Sequence, residues 1–197
     1  MVSTTLYATV SIVLISILLL LSNLNMRLQN DMYALNDMAL AVESMQRDIK
    51  MGTNYRCDDG TTMPSAFSQF SNGTYKIISQ DCAFDETQAS TYNGGNVRLV
   101  FKAQTGEFVS YRLINNHIVR TVYNMVGNFG VDTDVTDNEI RIDSLRFYIE
   151  GTSQIDGRQT SITTTLKGTN IKNDMRGYLE NKEFKQQYTV TPRSIDG

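Results

Sequence analysis

The chain has 197 residues, a net charge of −3 and no Trp, and 41% of its residues are hydrophobic. That length suits one domain with an appendage rather than two full domains. The slight negative charge gives no electrostatic reason to expect nucleic-acid binding. The hydrophobic residues are concentrated near the N-terminus, since residues 6–21 are almost entirely apolar and no charged side chain precedes Arg27.

The first predicted element is a membrane-spanning helix. With its uncharged flanks, from Val2 to Met26, the apolar run exceeds the roughly 20 residues needed to cross a bilayer. A cleaved secretory signal is the alternative, but the start contains no Lys or Arg and no small-residue cleavage site follows. Because the anchor of an exported head normally has basic residues on its cytoplasmic side, we expect a basic leader to have been removed before Met1.

The helix is predicted to continue beyond the membrane, because residues 22–51 contain neither Pro nor Gly. An apolar side chain recurs every seven residues, at Leu28, Leu35, Val42 and Ile49. Met38 and Met45 fit the second position of the same heptad stripe, and Gly52 is a natural C-cap. Residues 1–52 are therefore predicted to be one helix with a membrane-spanning first half and an amphipathic second half. A membrane anchor followed by a stalk or coiled coil would give the same pattern.

Residues 53–197 form the second predicted unit, an exported head rich in β-strands. Alternation of apolar and polar residues predicts strands at 74–79, 97–102, 109–113, 118–123, 140–150 and 160–167. The turns Thr105-Gly106 and Asn115-Asn116 join three of these strands into an antiparallel meander with one half-buried face. Packing of one sheet on the amphipathic half of the helix would give an α+β fold.

The remaining parts of the head are predicted with less regular patterns. Residues 54–72 are predicted to be a loop, and a break is expected at Asp143-Ser144 within strand 140–150. The Thr-rich segment 160–167 suits an edge or half-exposed strand. In the polar tail, a short helix against the sheet is predicted from four residues, Met175, Tyr178, Leu179 and Phe184.

Two cysteines, Cys57 and Cys82, follow the apolar run. Two Cys in an exported domain suggest one disulfide, and closing this loop would stabilise the head by roughly 3 kcal/mol in the chain-entropy model. Two unrelated buried thiols are the alternative.

The sequence contains no recognisable catalytic constellation, so we predict that the chain is not an enzyme. Its single histidine, His117, lies beside a predicted hairpin turn and is interpreted as a solvated turn residue. The segment Asn72-Gly73-Thr74 fits a glycosylation sequon, but we interpret it as a plain turn. No cofactor is expected, apart from the cation considered next.

An acidic stretch before strand 140–150 is the one segment that resembles a binding site. It contains four carboxylates within eight positions, at Asp132, Asp134, Asp137 and Glu139. A calcium ion would relieve their mutual repulsion, but the stretch lacks the glycine of an EF-hand loop. A solvated acidic loop is the alternative reading.

Three segments occur in an order typical of one family. They are residues 45–50 (MQRDIK) at the helix end, 108–120 (FVSYRLINNHIVR) in the hairpin and 142–149 (IDSLRFYI) in the next strand. Together with the N-terminal helix they resemble the type IV pilin family, in particular minor pilins of the W type and pseudopilins of the J type. The resemblance covers most of the chain in order.

The resemblance implies a structural protein that assembles through its helix. It would prime or cap a filament of a type IV pilus, a competence system or a type II secretion system. The implied partners are other pilins or pseudopilins, the inner-membrane assembly platform and, before assembly, the lipid bilayer. The implied location is the inner membrane with the head in the periplasm or outside the cell, and then a pilus or pseudopilus.

The resemblance also implies two features of the N-terminus. Family members lose a short basic leader to a prepilin peptidase, and the new N-terminus, here Met1, would be methylated. Most members have Glu at the fifth mature position, where it pairs with a neighbour's N-terminal amine. Thr5 occupies that position here, which is a pattern of pseudopilins at the filament tip.

Two other functions are consistent with the same sequence. One is a single-pass, membrane-anchored binding or sensor domain that forms no filaments. The other is an anchored enzyme whose site has no recognisable motif.

Overall fold

The structure is a computed structural model that describes residues 2–58, 67–69, 75–77, 79, 81–82, 97–124, 129–152, 158–170 and 183–193. Helix α1 spans Val2–Met51 and is one continuous element of 50 residues. Within these described residues, ten strands follow the helix: β1 (Thr53–Asp58), β2 (Phe67–Gln69), β3 (Tyr75–Ile77), β4 (Arg98–Lys102), β5 (Phe108–Ile114), β6 (His117–Asn124), β7 (Phe129–Asp134), β8 (Ile140–Glu150), β9 (Ser161–Asn170) and β10 (Glu183–Val190). The architecture is α+β, with one long N-terminal helix and antiparallel sheets.

The strands form two main sheets rather than the single sheet predicted from the sequence. A five-stranded sheet has the order β1-β4-β5-β6-β7, and a three-stranded sheet has the order β10-β9-β8. Strands β2 and β3 pair separately. The prediction was wrong because alternation shows that a strand has one buried face, and it contains no information about which neighbour the strand pairs with.

The predicted meander is present as β4, β5 and β6. At its second turn Asn115 and Asn116 have φ values of 49° and 67°, as a two-residue hairpin of the I′ type requires. However, β4 is buried on both faces except at its last residue. A second small core contains Ile77, Val100, Phe108 and Tyr123, because β3 covers the side of the sheet that was expected to be exposed.

Strand β1 lies within the segment 54–72 that was predicted to be a loop. Its pairing with β4 shifts register between Thr53 and Arg56, and Asn54 has a positive φ of 57°. This irregularity breaks the alternation of side chains that identifies a strand in a sequence. Tyr55, which lies within this irregularity, is buried in the main core.

Predictions for the C-terminal part of the head were only partly right. Strand β9, predicted to be an edge or half-exposed strand, is half-exposed, but it is the central strand of its sheet, since β8 and β10 pair on either side. Phe184 lies in β10 rather than in a helix. The other residues of the predicted helix lie outside the described part of the chain, as does the sequon 72–74. The break expected in β8 is present as a register shift between Ile142 and Ser144.

The face through which the helix packs on the head coincides with the predicted stripe from Met38 to Ile49 and departs from it before Met38. Its buried side chains, which are at most 7% exposed, are Ala34, Met38, Ala41, Met45 and Ile49. Of the predicted stripe, Met38, Met45 and Ile49 are buried and Val42 is half-buried, but Leu28 is 62% and Leu35 is 56% exposed. The contact face of an α-helix follows 3.6 residues per turn, so a stripe that repeats every seven residues drifts away from it.

Candidate assembly surface on the N-terminal helix

The first half of α1 has no apolar environment within the described part of the chain. It is long and apolar enough to cross a membrane, by length and composition, and its most apolar window has a mean hydropathy of 2.3 with none of it buried. Even its least exposed large apolar side chain between residues 6 and 21, Ile17, is 48% exposed. Contact of so many apolar side chains with water is unfavourable by about 25 cal/mol per Å², so this half requires lipid or protein around it.

Hydroxyl groups within the apolar half are compatible with such an environment. Thr9 Oγ1 donates a hydrogen bond to the Leu6 carbonyl at 2.9 Å, and Ser16 Oγ donates to the Ile12 carbonyl at 2.8 Å. A polar group placed in hydrocarbon costs little only when it has such a partner. These two residues therefore add no obstacle to membrane insertion.

Exposed apolar side chains continue along the second half of α1, on both sides of the face that packs on the head. One stripe, spaced by three or four residues, consists of Leu21, Leu24, Leu28, Met32 and Leu35. A second stripe, spaced by seven residues, consists of Met26, Tyr33 and Leu40. At 100° per residue, the first stripe lies about 100° from the buried face on one side and the second about 120° from it on the other. We refer to these two sets as the first and second exposed stripes.

A polar cluster fixes the helix on the head close to its C-terminal end. Asp48 Oδ2 accepts a hydrogen bond from Tyr111 Oη at 2.8 Å and one from Arg120 Nε, also at 2.8 Å. Tyr111 and Arg120 are directly opposite each other on β5 and β6. Burial, and then the charge of Asp48, raise the pKa of the Tyr111 hydroxyl, so it remains a donor at any physiological pH. Burial opposes the charge on Arg120, but its hydrogen bond and charge pairing with Asp48 outweigh this and raise its pKa.

Three further contacts orient the same part of the helix. The Tyr188 hydroxyl lies 3.2 Å from Met45 Sδ, and burial raises its pKa to about 12. The Tyr55 hydroxyl donates to the carbonyl of Ile49. Asp37 Oδ2 accepts a hydrogen bond from the backbone N–H of Asp137 at 3.1 Å. These contacts leave both exposed stripes largely uncovered, although Tyr33 and Leu40 of the second stripe border a depression that is also lined by Asp137, Glu139 and Ile140 of the head.

The acidic stretch is not assembled into a cation site. Asp132 and Asp134 belong to strand β7, not to a loop, and Asp132 is paired with Arg112 at 3.0 Å. Its other oxygen accepts a hydrogen bond from the Thr121 hydroxyl at 2.7 Å. Asp137 and Glu139 lie in the turn before β8, and no group of three or more potential ligands converges among the described residues. The calcium interpretation therefore has no support in this geometry.

The other candidate residues are placed as follows. Cys57 on β1 and Cys82 are joined by a disulfide with their Cα atoms 6.0 Å apart, the pairing expected from the sequence. Cys82 also pairs with Ile149 of β8, so this link joins the two sheets. His117 is half-buried at the start of β6 rather than solvated, and its Nδ1 has no hydrogen-bond partner among the described residues. Thr5 is exposed on α1.

The carboxylate of Asp143 on β8 makes the stability of the head depend on pH. Thr169 donates a hydrogen bond to Asp143 Oδ2 at 2.7 Å, and Arg141 lies 3.0 Å from Oδ1. Chiefly through the Thr169 hydrogen bond, the pKa of Asp143 is held below its ordinary value of 3.8. A carboxyl with a depressed folded-state pKa stabilises the fold above its unfolded pKa, and the contribution is lost as the pH falls.

We therefore expect the variant Asp143→Asn to be less stable than the parent at neutral pH, with the difference disappearing as the pH falls below about 4. Urea midpoints measured across this range would show it. The matched control is Glu150→Gln, at an exposed carboxylate of the same strand, which should follow the parent at every pH. A constant difference for Asp143→Asn would contradict the assignment.

Comparison of the chain with protein-family models, with curated proteins and with solved structures finds no match. Sequence reasoning identified the helix but missed both the cluster around Asp48 and the second exposed stripe. The second stripe had a readable signal, because Met26, Tyr33 and Leu40 form a seven-residue series of their own.

Proposed function

We propose that this protein is a filament subunit of the type IV pilin-like kind, a minor pilin or pseudopilin that assembles through α1. The observation that carries the proposal is the pair of exposed stripes on the second half of the helix. A bilayer core about 30 Å thick covers roughly 20 helical residues, so it can cover the first half of α1 only. Leu28, Met32, Tyr33, Leu35 and Leu40 continue beyond that length and are 56–70% exposed.

Apolar side chains beyond the membrane require a protein partner. A helix that only tethers a head faces water outside the bilayer, so its exposed residues there would be polar. It would have no use for ordered stripes of apolar side chains. Here the exposed apolar residues are ordered in stripes on two sides, which is the pattern of a helix with helical neighbours on each side. This favours assembly over the second candidate function, a membrane-anchored binding or sensor domain that stays single.

The position within the filament is a finer part of the proposal. In the family that the chain resembles, shaft subunits have a carboxylate within the apolar part of the helix. The first carboxylate of α1 is Asp31, well beyond the apolar part. We infer that the chain occupies an end of the filament, in few copies, and helps to prime or cap it.

A photo-crosslinking residue at Leu35 tests this proposal in native membranes. We expect adducts that join Leu35 to the helix of a different filament subunit, because an end subunit has few neighbours of its own kind. The same probe at Thr105, in an exposed turn of the head, is the matched control and should give no such adducts. Absence of protein adducts at Leu35 would favour the single membrane-anchored domain, and adducts between copies of this chain would place it in the shaft.

A further inference from the structure

The three-stranded sheet has an outer face that the filament proposal does not use. Along β9 the side chains of Ile162, Thr164 and Leu166 are buried, so the intervening Thr163, Thr165 and Lys167 point away from the core. The residues paired with them on β8 and β10 share this side. We call this surface the outer face.

Two positive charges that lie opposite each other on the outer face are expected to destabilise the fold. Lys167 on β9 is directly opposite Lys185 on β10, and like charges in that arrangement are destabilising. Lys167 is compensated by Glu183, whose Oε1 lies 3.3 Å from its Nζ. Lys185 and Arg146 have no ion-pair partner in the part of the chain that the structure describes. Nothing in the fold requires these two cations.

The two uncompensated cations are separated in a regular way. Arg146 is opposite Thr165 on the central strand, while Lys185 is opposite Lys167, two residues further along that strand. With strands about 4.8 Å apart and two residues spanning about 6.7 Å, their Cα atoms are about 12 Å apart. Such a pair suits a ligand with repeated anionic groups better than one with a single charge.

Hydroxyl groups occupy the space beside the cations. Thr163 and Thr189 are opposite each other with their Oγ1 atoms 2.9 Å apart, and Thr165 lies beside Arg146 in the next row. Tyr148 is opposite Thr163 and adds one aromatic ring to this side. A shallow depression of about 310 Å³ lies where β9 and β10 carry their lysines. The face therefore offers hydroxyl donors and acceptors, an aromatic surface and two separated cations.

We propose that the outer face binds an anionic polysaccharide, such as a chain of uronic acids. Arg146 and Lys185 would contact carboxylates on the polymer, and the hydroxyls of Thr163, Thr165 and Thr189 would hydrogen-bond to sugar hydroxyls. Among the described residues, the carboxylates on or beside this face are Glu150 at one end of β9 and Glu183 and Asp143 towards the other, where Glu183 pairs with Lys167 and Asp143 accepts a hydrogen bond from Thr169. None of them forms an ion pair with Arg146 or Lys185. The proposal depends on the head alone and is independent of filament assembly.

A polysaccharide fits this surface better than a nucleic acid. Nucleic-acid binding without sequence preference combines a continuous cationic groove with several aromatic side chains on which bases stack. The outer face has two uncompensated cations, one aromatic ring and several hydroxyls, in a chain of net charge −3. The hydroxyl groups of this face can form hydrogen bonds with the uncharged hydroxyl groups of a sugar.

Binding of the full chain, in detergent micelles, to immobilised polygalacturonate at about 0.1 M salt tests the proposal. Neutral dextran and duplex DNA serve as comparison ligands. We expect polygalacturonate to bind and the double variant Arg146→Gln, Lys185→Gln to weaken it about tenfold. Thr165→Val, which removes only a hydroxyl, should weaken it about threefold. The control Lys102→Gln, at an exposed lysine of the other sheet, should remain within about twofold.

Each outcome separates the proposal from its competitors. Loss at the outer face with little change at Lys102 would support it. Equal loss in both, or no binding of polygalacturonate, would show that the face is only solvated. Tighter binding of duplex DNA than of polygalacturonate would show that the face prefers a nucleic acid, and it would overturn the proposal. Thermal unfolding of each variant shows that the head is intact.

Discussion

Replacing Leu28 and Leu35 together by Asp is expected to abolish incorporation of the chain into filaments without changing the stability of the head. Both leucines belong to the first exposed stripe, and neither is part of the hydrophobic core of the head. If a neighbouring subunit covers them, each contributes about 2 kcal/mol of apolar burial, and a carboxylate in the same contact costs several kcal/mol more. The expected loss of affinity is therefore at least about a thousandfold.

Two measurements are needed to interpret this variant. Co-sedimentation of the chain with sheared filaments measures incorporation, and thermal unfolding followed by near-UV circular dichroism measures the integrity of the head. The matched control is Asn36→Asp, which adds one charge at an exposed polar position of the same helix. It should be incorporated normally. Retention of the double variant in filaments would show that the stripe faces water after assembly, and the proposed function would lose its main support.

Replacing Asp48 by Ala is expected to destabilise the head by about 3 kcal/mol. The substitution removes the common acceptor of Tyr111 and Arg120, and it leaves a buried hydroxyl and a partly buried guanidinium without their partner. Hydrogen bonds to charged groups contribute about 1.5–3 kcal/mol each, and the partial exposure of Arg120 places the total well below the sum of two. The urea midpoint of the full chain in detergent, monitored through its β-sheet signal, measures the effect.

Glu43→Ala is the matched control for Asp48→Ala, because it removes an exposed carboxylate from the same helix. It should change the stability by no more than about 0.5 kcal/mol. A double-mutant cycle with Arg120→Met would isolate the interaction between Asp48 and Arg120 from effects on the helix itself. Equal effects of Asp48→Ala and Glu43→Ala would mean that the cluster does not hold the helix on the head.

The two substitutions test different roles of one helix. Asp48 and the buried side chains near it bind α1 to its own head, while the exposed stripes remain available to other molecules. A chain in which Asp48→Ala lowers stability and the stripe variant lowers incorporation alone would show that these roles are separable along the helix. A subunit that folds before it assembles requires such a division between residues that stabilise its own fold and residues that contact its neighbours.

The sequence by itself determined the features that depend on local chemistry. A long apolar run with no Gly or Pro specifies a continuous helix whatever surrounds it, because helical hydrogen bonds form between residues four apart. Asn115-Asn116 specified its hairpin turn because both residues tolerate the positive φ that it needs. The alternation of apolar residues on either side of the break at Asp143-Ser144 located β8, because one buried face imposes a period of two on a strand.

Only the tertiary structure decided which surfaces meet. Leu28 and Leu35 are apolar in the same way as Met38 and Met45, yet the first two are exposed and the last two are buried. Likewise, alternation in β8 and β9 could not show that these strands form a second sheet with β10. Tyr111 and Arg120 lie 63 and 72 residues after Asp48 along the chain. Their cluster therefore forms only when the helix packs on β5 and β6. Burial and pairing depend on contacts between distant segments, and hydrophobicity along a sequence measures the tendency to be buried without naming the partner.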